Sequence, residues 1–306
     1  MSSKRVNTKV KIGKLILKNP VMTASGTFGY GLEFEKYCDL NKLGAIVVKG
    51  LALKPVTGNK PPRLVETPCG IINAIGLQNI GVEKFLAEKL PLLKKYNTPV
   101  VANIYGTKVS EYAAVAERLA GSRVAAIEIN ISCPNVKKGG MQFAGDKKAV
   151  REMLKRIKKV CNKTVIVKLS PNTGNIEEMA KICEGSGADS VSLVNTLTAM
   201  SIDLEKRRPH LSNIFGGLSG PAIKPVALAL VHKVSKAVKI PVIGIGGIMN
   251  YRDALEFIVA GASAVQVGTA NFRDPGSPVK IAAGIESYMR KNRITAVKKL
   301  KGTLRY

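Results

Sequence analysis

The stretch PVIGIGGIMNYRDALEFIVAGASAVQVGTANF, residues 241–272, contains one complete strand–helix–strand unit. Its apolar runs at 241–247 and 264–270 do not alternate with polar residues, which predicts two strands buried on both faces. Between them, 250–260 has the apolar spacing of a helix, and it opens at an Asn and closes before a Gly. This order of elements predicts a parallel βαβ unit.

The same unit recurs along the whole chain. Further strands are predicted at 21–25, 44–50, 99–104, 125–132, 164–170 and 190–196, and further helices near 81–96, 109–120, 146–160, 175–186, 220–238 and 276–291. No linker or change of composition divides the 306 residues. The pattern therefore predicts an α/β protein in which one (β/α)8 barrel, a TIM barrel, spans residues 1–306 as a single domain. The preceding KVKIGKLILKNP (9–20) predicts an N-terminal β-hairpin that closes the bottom of the barrel.

Composition limits the class of protein. The five cysteines are widely spaced and form no CxxC pair or Cys/His cluster, so neither a metal site nor a local iron–sulfur site is predicted. The first residues do not resemble a signal peptide, and no apolar segment is long enough to span a bilayer. We therefore expect a cytoplasmic protein without a membrane partner.

The formal net charge of +27 raises another class of function, the binding of nucleic acid or another polyanion. The lysines lie mostly on one face of amphipathic helices, as in DKKAVREMLKRIKKV (146–160), without interleaved aromatic residues. A solvated basic surface is the simpler interpretation, and no specific nucleic acid is expected. A salt titration separates the alternatives, because polyanion binding weakens steeply with salt.

Polar residues end the predicted strands on the side where a barrel carries its chemistry. At the end of an apolar strand, an unpaired amide or ammonium group is costly unless a partner satisfies it. The strand ends in question are Ser25 to Thr27, Lys49, Asn103, Asn130 to Asn135, Lys168 to Ser170, Asn195 to Thr196 and Thr269, together with the glycines Gly246, Gly247 and Gly268. Their convergence on one face predicts a polar ligand across the barrel mouth.

Glycines after the last two strands predict a phosphate site. GIGGI (244–248) and GTAN (268–271) lie in the loops where this fold usually binds phosphate, and LSGPAIKP (218–225) is a further candidate loop. SGTFGYG (25–31) lacks the G-x-G-x-x-G spacing of a dinucleotide site, and Lys49 ends the next strand where an acid is required. We expect the small residues of that loop to lie against a flat cofactor instead.

Cys133 stands in EINISCPNVKKGG (128–140), between Asn130 and Asn135. With a reference pKa of ~8.5, a thiol can act as a base or a nucleophile once its surroundings favour the thiolate. A Cys–His nucleophile pair with His210 or His232 stays open as an alternative. Each asparagine offers a donor and an acceptor, which fits a planar substrate with carbonyls and ring N–H groups.

A series of motifs, in order along almost the whole chain, resembles the dihydroorotate dehydrogenases. The motifs are ASGTFGYG, VVKG, NAIGLQN, ANIYG, EINISCPNV, VKLSPN, LVNT, GGLSGPAIKP, GIGGI and VGTANF. They look most like the catalytic subunit of the two-subunit, NAD-linked form, class 1B. The resemblance implies an FMN-containing (β/α)8 barrel that oxidises (S)-dihydroorotate to orotate in pyrimidine (UMP) biosynthesis.

The resemblance also implies roles for single residues. Cys133 corresponds to the base that takes the proton from C5 of the substrate while hydride leaves C6 for FMN. The FMN-binding positions correspond to Ser25, Lys49, Gly50, Asn103, Asn130, Lys168, Val194, Gly220, Gly246, Gly247, Gly268 and Thr269. The substrate positions correspond to Lys49, Asn73, Ala74, Ile75, Gly76, Leu77, Asn130, Asn195 and Thr196, with Asn135 as an addition.

The family further implies one FMN per chain and a partner subunit that carries FAD and a [2Fe-2S] cluster and passes electrons to NAD. A homodimer core within a heterotetramer is the expected assembly. The chain has neither an NAD fingerprint nor a cysteine cluster of its own, which agrees with a need for a partner. Two flavoenzymes stay as alternatives: a single-subunit, fumarate-linked dihydroorotate dehydrogenase and a dihydropyrimidine dehydrogenase-like enzyme.

Overall fold

The structure is a computed structural model that describes residues 6–132 and 143–306. In this part of the chain the strands are β1 (Val10–Ile12), β2 (Leu15–Leu17), β3 (Val21–Thr23), β4 (Ile46–Val47), β5 (Leu64–Thr67), β6 (Gly70–Asn73), β7 (Val100–Ile104), β8 (Ala126–Asn130), β9 (Thr164–Lys168), β10 (Ser190–Leu193), β11 (Leu197–Ala199), β12 (Ile202–Asp203), β13 (Arg208–Pro209), β14 (Gly216–Ser219), β15 (Val242–Ile245) and β16 (Ala264–Val267). The α-helices are α1 (Val82–Lys84), α2 (Val109–Ala120), α3 (Lys147–Val160), α4 (Ile176–Gly185), α5 (Lys224–Ala237), α6 (Tyr251–Ala260), α7 (Ala270–Arg273) and α8 (Ser277–Lys291).

Eight parallel strands form the central sheet, in the order β3-β16-β15-β10-β9-β8-β7-β4. The two end strands meet: Met22 and Ala45 form a parallel bridge, and the backbone N–H of Gly44 donates to the carbonyl of Val21 at 2.8 Å. The sheet is therefore closed, and the predicted (β/α)8 barrel is confirmed. Each of these strands is buried along its whole length, which explains why the sequence runs are apolar without alternation.

Helices cover the outside of the barrel, and their ends follow the capping residues. In the strand–helix–strand unit of residues 241–272, Asn250 caps α6 and forms a capping box with Asp253, while Gly261 follows the helix with φ +128°. In α3, Val150, Met153, Leu154 and Ile157 are buried at helical spacing, so the charged residues remain outside. None of the helices in the described residues has the length and apolar character that crossing a membrane requires.

The predicted N-terminal hairpin is confirmed as β1 and β2, which pair antiparallel. Its Ile12, Leu15 and Leu17 side chains are almost fully buried. They pack in one apolar cluster with Ala126 and Ala264, the first residues of β8 and β16. The hairpin therefore covers the bottom of the barrel, opposite the carboxyl ends of the strands.

The helical pattern near 81–96 does not produce one α-helix. The single turn of α1 is followed by a π-helical turn (Phe85–Lys89) and a 3-10 turn (Leu92–Lys95). Pro91 lies between these two turns. Proline has no N–H, and its ring clashes with the carbonyl four residues before it, so a regular helix cannot continue through this position.

A second, four-stranded antiparallel sheet, in the order β11-β14-β6-β5, was not predicted. In this upper sheet, Asn73 of β6 is paired with Gly217 of β14, and β5 and β6 form a hairpin. Its strands are only three or four residues long, and several contain glycine, which explains the weak sequence signal. Residues of β5, β6 and β14 line the cavity described next, so the upper sheet forms one of its walls.

Candidate active site

A cavity of about 710 Å³ opens at the carboxyl ends of the barrel strands. Residues that end or follow all eight barrel strands line it, together with the upper sheet. Cofactor and ligand sites commonly have volumes of about 300–1,000 Å³ and lie at this face of a barrel. Position and size therefore both suit a cofactor together with a small substrate.

The structure brings the sequence-predicted residues together. The cavity is lined by the predicted cofactor positions Ser25, Lys49, Gly50, Asn103, Asn130, Lys168, Val194, Gly220, Gly246, Gly247, Gly268 and Thr269. It is also lined by the predicted substrate positions Asn73, Ala74, Ile75, Gly76, Leu77, Asn195 and Thr196. Cys133 and Asn135 lie outside the described residues, although Ser132 lines the cavity. The binding roles of all these residues stay predictions.

Three glycine-containing loops converge at one end of the cavity. Gly220, Gly246 and Gly247 have φ values of +98°, +130° and +69°, which side chains rarely adopt. A Cβ on Gly247 would lie 2.8 Å from the carbonyl oxygen of Gly220, so the loops after β14 and β15 are in close contact. Thr269, after β16, donates its hydroxyl to Ser219 at 2.9 Å. The convergence forms a backbone-lined cradle, the kind of site that binds phosphate.

Two cations lie on the wall formed by the loop after β4 and the segment before β5. Lys49 is half-buried, and its pKa is lowered from the ordinary lysine value, first by burial and second by the nearby charge of Arg63, with Glu33 opposing. Arg63 donates from Nη2 to Oε1 of Gln78 at 2.9 Å, which holds the guanidinium at the cavity. A pair of fixed cations suits a ligand that carries a carboxylate.

Amide side chains on the cavity wall are oriented by neighbouring groups. Oδ1 of Asn130 accepts from the backbone N–H of Ser132 at 3.1 Å and from Nδ2 of Asn195 at 3.3 Å. Oδ1 of Asn195 accepts in turn from the N–H of Thr196 at 2.8 Å, and Nδ2 of Asn73 donates to the carbonyl of Gly217 at 3.2 Å. Fixed amides can recognise a planar ring that has both carbonyls and N–H groups.

Lys168 ends β9 at the bottom of the cavity and is 5% exposed. Its ammonium group donates to Oγ of Ser25 at 3.2 Å. Burial lowers the pKa of Lys168 from the ordinary lysine value, and the charge of Glu128 opposes that shift. The positive charge of Lys168 favours negative charge on a ligand that lies above it in the cavity.

Sequence reasoning missed several functional candidates. Arg63 belongs to no recognisable motif, and only the fold brings it to the cavity. Glu128 is completely buried within β8, below the cavity, and it accepts hydrogen bonds from three other barrel strands. Its one sequence signal is an acid inside the apolar run AAIEINIS (125–132).

The cysteines and histidines of the described residues do not line the cavity. Cys161 and Cys183 are buried, as expected for structural residues, and burial raises the pKa of Cys183 to about 12. Cys38 is half-buried and Cys69 is exposed. His210 contacts Ser201, and His232 contacts Tyr306 and the carbonyl of Ala260, so neither histidine lines the cavity. Among the described residues, no group of three or more His, Cys, Asp or Glu side chains could hold a metal ion.

Comparison with known proteins agrees with this geometry. The family model described as "Dihydroorotate dehydrogenase" matches residues 7–289. Proteins of Geobacter sp. (strain M21) and Citrifermentans bemidjiense are 57% and 58% identical over 301 residues, which cover 98% of this chain and 99% of each relative. A Thermoanaerobacter sp. (strain X514) protein is 52% identical over 300 residues. All three are named "Dihydroorotate dehydrogenase B (NAD(+)), catalytic subunit". The structure is a barrel, the family model matches nearly the full length of the chain, and these relatives share more than half of its residues. The chain therefore belongs to the dihydroorotate dehydrogenase family.

Proposed function

We propose that this chain is the catalytic subunit of an NAD-linked dihydroorotate dehydrogenase and oxidises (S)-dihydroorotate to orotate in pyrimidine biosynthesis. The names of relatives that share more than half of its residues support this function. The observation that carries the proposal is the single cavity in which a glycine cradle, oriented amides and three cations meet above the barrel strands. Those groups match the needs of a phosphorylated flavin and an anionic pyrimidine.

One FMN is the proposed occupant of the cavity. The cradle of Gly220, Gly246 and Gly247 would let a phosphate approach the backbone without side chains in the way, and Gly268 and Thr269 would complete it. Ser25, Lys49, Gly50, Asn103, Asn130, Lys168 and Val194 would hold the rest of the cofactor. Bound FMN supplies the hydride acceptor, while the protein contributes orientation and charge.

The substrate would lie against the amides and cations of the opposite wall. Asn73, Asn130 and Asn195 offer both donors and acceptors to a ring that has carbonyls and N–H groups. Lys49 and Arg63 place positive charge where a carboxylate can bind. Binding of the carboxylate favours dihydroorotate over an uncharged dihydropyrimidine.

Cys133 would act as the base that removes the proton from C5 of the substrate. The support is its place in the sequence, directly after Ser132, which lines the cavity. The positive charge of Lys49 and Lys168 on the cavity wall would help to favour the thiolate. Asn135, two residues further along the chain, is proposed to contact the substrate.

The colour of the purified protein tests the proposed function. We expect a yellow protein with one FMN per chain, whose flavin absorbance is bleached by dihydroorotate in the absence of oxygen. Dihydrouracil, which lacks the carboxylate, should bleach it much more slowly, because Lys49 and Arg63 would then have no anionic partner. A colourless protein that takes up no added FMN would contradict the proposal, and equal rates with both compounds would favour the dihydropyrimidine dehydrogenase-like alternative.

Replacing Gly247 by Val should weaken FMN binding by about tenfold or more. The new side chain would meet the carbonyl of Gly220 and the backbone N of Lys224 at less than 3 Å, and φ at this position is +69°. Gly121→Ala is the matched control, because Gly121 has a φ of −82° and open space around its would-be Cβ. Titration of the apoprotein with FMN, followed by flavin fluorescence, measures both variants. Wild-type affinity in Gly247→Val would place the phosphate elsewhere.

An electron-transfer subunit that carries FAD and a [2Fe-2S] cluster is the proposed partner, in a heterotetramer around a homodimer core. The phrase "catalytic subunit" in the names of the relatives supports a partner. We expect this chain alone to oxidise dihydroorotate with an artificial dye but to reduce NAD only after the partner is added. Efficient reduction of fumarate by the chain alone would instead support the single-subunit form.

A further inference from the structure

Glu128 is a fully buried acid in the middle of the barrel. Its Oε1 accepts from Nδ2 of Asn103 at 2.7 Å, and its Oε2 accepts from Oγ of Ser192 at 2.8 Å and from Nε2 of Gln266 at 2.6 Å. The donors come from β7, β10 and β16, so one carboxylate joins four strands of the barrel. These three hydrogen bonds give both carboxylate oxygens of Glu128 a partner inside the barrel.

The network fixes the orientation of Asn103. Because a carboxylate only accepts, the NH2 group of Asn103 must face Glu128, and its Oδ1 must point the other way. That oxygen lies beside Gly50, where a Cβ would be 3.1 Å from it. Both Asn103 and Gly50 line the cavity. Glu128 therefore causes Asn103 to present a hydrogen-bond acceptor toward the ligand site.

Glu128 also bears on the charge at the bottom of the cavity. Glu128 and Ile166 are opposite each other on β8 and β9, and Lys168 follows two residues later on the same side of β9. Lys168 is thus one layer closer to the cavity than Glu128. None of the salt bridges in the described residues involves Lys168, and its ammonium group donates to Ser25. The charge of Glu128 opposes the lowering of the pKa of Lys168 and so helps Lys168 to keep its proton.

We propose that Glu128 is a positioning residue for the flavin, which holds the acceptor of Asn103 toward the cofactor and offsets the positive charge of Lys168. This inference rests on the proposed function, since it requires FMN in the cavity. Glu128 does not line the cavity, so it acts through the orientation of Asn103 and through the field of its own charge. Its negative charge opposes the gain of negative charge by the cofactor, so it holds the reduction potential of the flavin below the value that Lys168 alone would give.

Glu128→Gln tests the role of the charge, because glutamine has the same size and keeps an acceptor for Asn103. The oxygen of Gln266, which is buried without a partner in the described residues, can accept from the new amide after rotation. We expect the midpoint potential of bound FMN to rise by about 30 mV or more, equivalent to a tenfold change for a two-electron couple. Ser192→Ala is the matched control, since it removes one hydrogen bond to the same carboxylate and no charge, and it should leave the potential unchanged.

Glu128→Asp tests the positioning of Asn103, because it keeps the charge and withdraws the carboxylate by one methylene. We expect FMN to bind roughly tenfold more weakly, as loss of a hydrogen bond to a charged group predicts, with a potential close to that of the wild type. If Glu128 had a purely structural role, Glu128→Gln, Glu128→Asp and Ser192→Ala would all lower the melting temperature. The potential of bound FMN and the affinity for FMN would then not change separately in Glu128→Gln and Glu128→Asp. If Glu128→Gln does not fold, Glu128→Asp still tests the positioning of Asn103, because wild-type affinity for FMN in that variant would overturn it.

The outcomes separate this inference from the proposed function. If the wild-type protein binds no FMN, the proposed function fails. If the wild type binds FMN and is reduced by dihydroorotate, but Glu128→Gln keeps its potential and Glu128→Asp keeps its affinity, the role of Glu128 alone is overturned.

Discussion

Replacing Cys133 by Ala is expected to slow the reduction of bound FMN by dihydroorotate by about 10²-fold or more, while FMN stays bound. Loss of a general base removes the group that takes the C5 proton, so the C–H bond can break only with water as the acceptor. The glycine cradle and the cations that would hold FMN belong to strands and loops other than the segment that contains Cys133. Anaerobic stopped-flow absorbance measures the reduction rate, and the flavin spectrum before mixing measures FMN content.

Cys69→Ala is the matched control for this substitution. Cys69 is an exposed free thiol at the β5–β6 turn of the upper sheet, and it does not line the cavity. Its replacement should leave the rate at the wild-type value.

Cys133→Ser should retain more activity than Cys133→Ala, since a hydroxyl can still accept and pass on a proton. Fast reduction in Cys133→Ala would remove the thiol from the mechanism.

Replacing Lys49 by Met is expected to impair both substrate binding and flavin reduction, each by about 10²-fold. The ammonium group is half-buried on the cavity wall, where a positive charge is screened less than on the surface. Methionine keeps most of the length of the side chain but removes both the charge and the N–H donors of the ammonium group. The substrate concentration at half-maximal reduction reports binding, and the limiting rate at saturation reports the chemical step.

Lys54→Met is the control, because Lys54 is an exposed lysine five residues along the same segment and does not line the cavity. It should behave as the wild type in both measurements. A Lys49→Met protein with an unchanged limiting rate but weaker substrate binding would restrict Lys49 to recognition of the carboxylate. Unchanged values for both would exclude Lys49 from the site.

The barrel could be predicted from sequence because its strands are buried on both faces. A run such as TVIVKLS (164–170) has no polar alternation, and helices with their own capping residues separate such runs. The rule that barrel chemistry lies at the carboxyl ends then selects Lys49, Asn130 and Lys168 from many lysines and asparagines. For Lys49, Asn130 and Lys168, the position expected from the strand pattern and the position in the structure agree, since all three line the cavity.

The upper sheet and Arg63 could not be predicted in the same way. Asn73 and Gly217 pair across more than 140 residues, and the short strands around them carry no clear period. Arg63 follows GNKPP (58–62), which has the composition of an ordinary loop. Arg63 directly precedes β5 and Gln78 follows β6, so their hydrogen bond forms only where the β5–β6 hairpin brings the two segments together.

Glu128 illustrates a different limit. A single acid in an apolar strand indicates a buried charge, but the sequence does not show which residues satisfy it. Its donors, Asn103, Ser192 and Gln266, are spread over 163 positions and meet only after the barrel has closed. A buried polar network of this kind is visible only when all of its strands are placed.

The hairpin of β1 and β2 has a consequence for the order of events during turnover. The hairpin covers the bottom of the barrel with Ile12, Leu15 and Leu17, and buried side chains fill the barrel above it, so in the described residues the cavity opens toward the carboxyl ends of the strands. If the flavin occupies the deeper part of this cavity, it must enter first, and dihydroorotate above it would block its escape. FMN would then have to be bound before any catalytic cycle begins, and orotate would leave by the route through which dihydroorotate arrived. Excess dihydroorotate should therefore slow the exchange of bound FMN for free FMN.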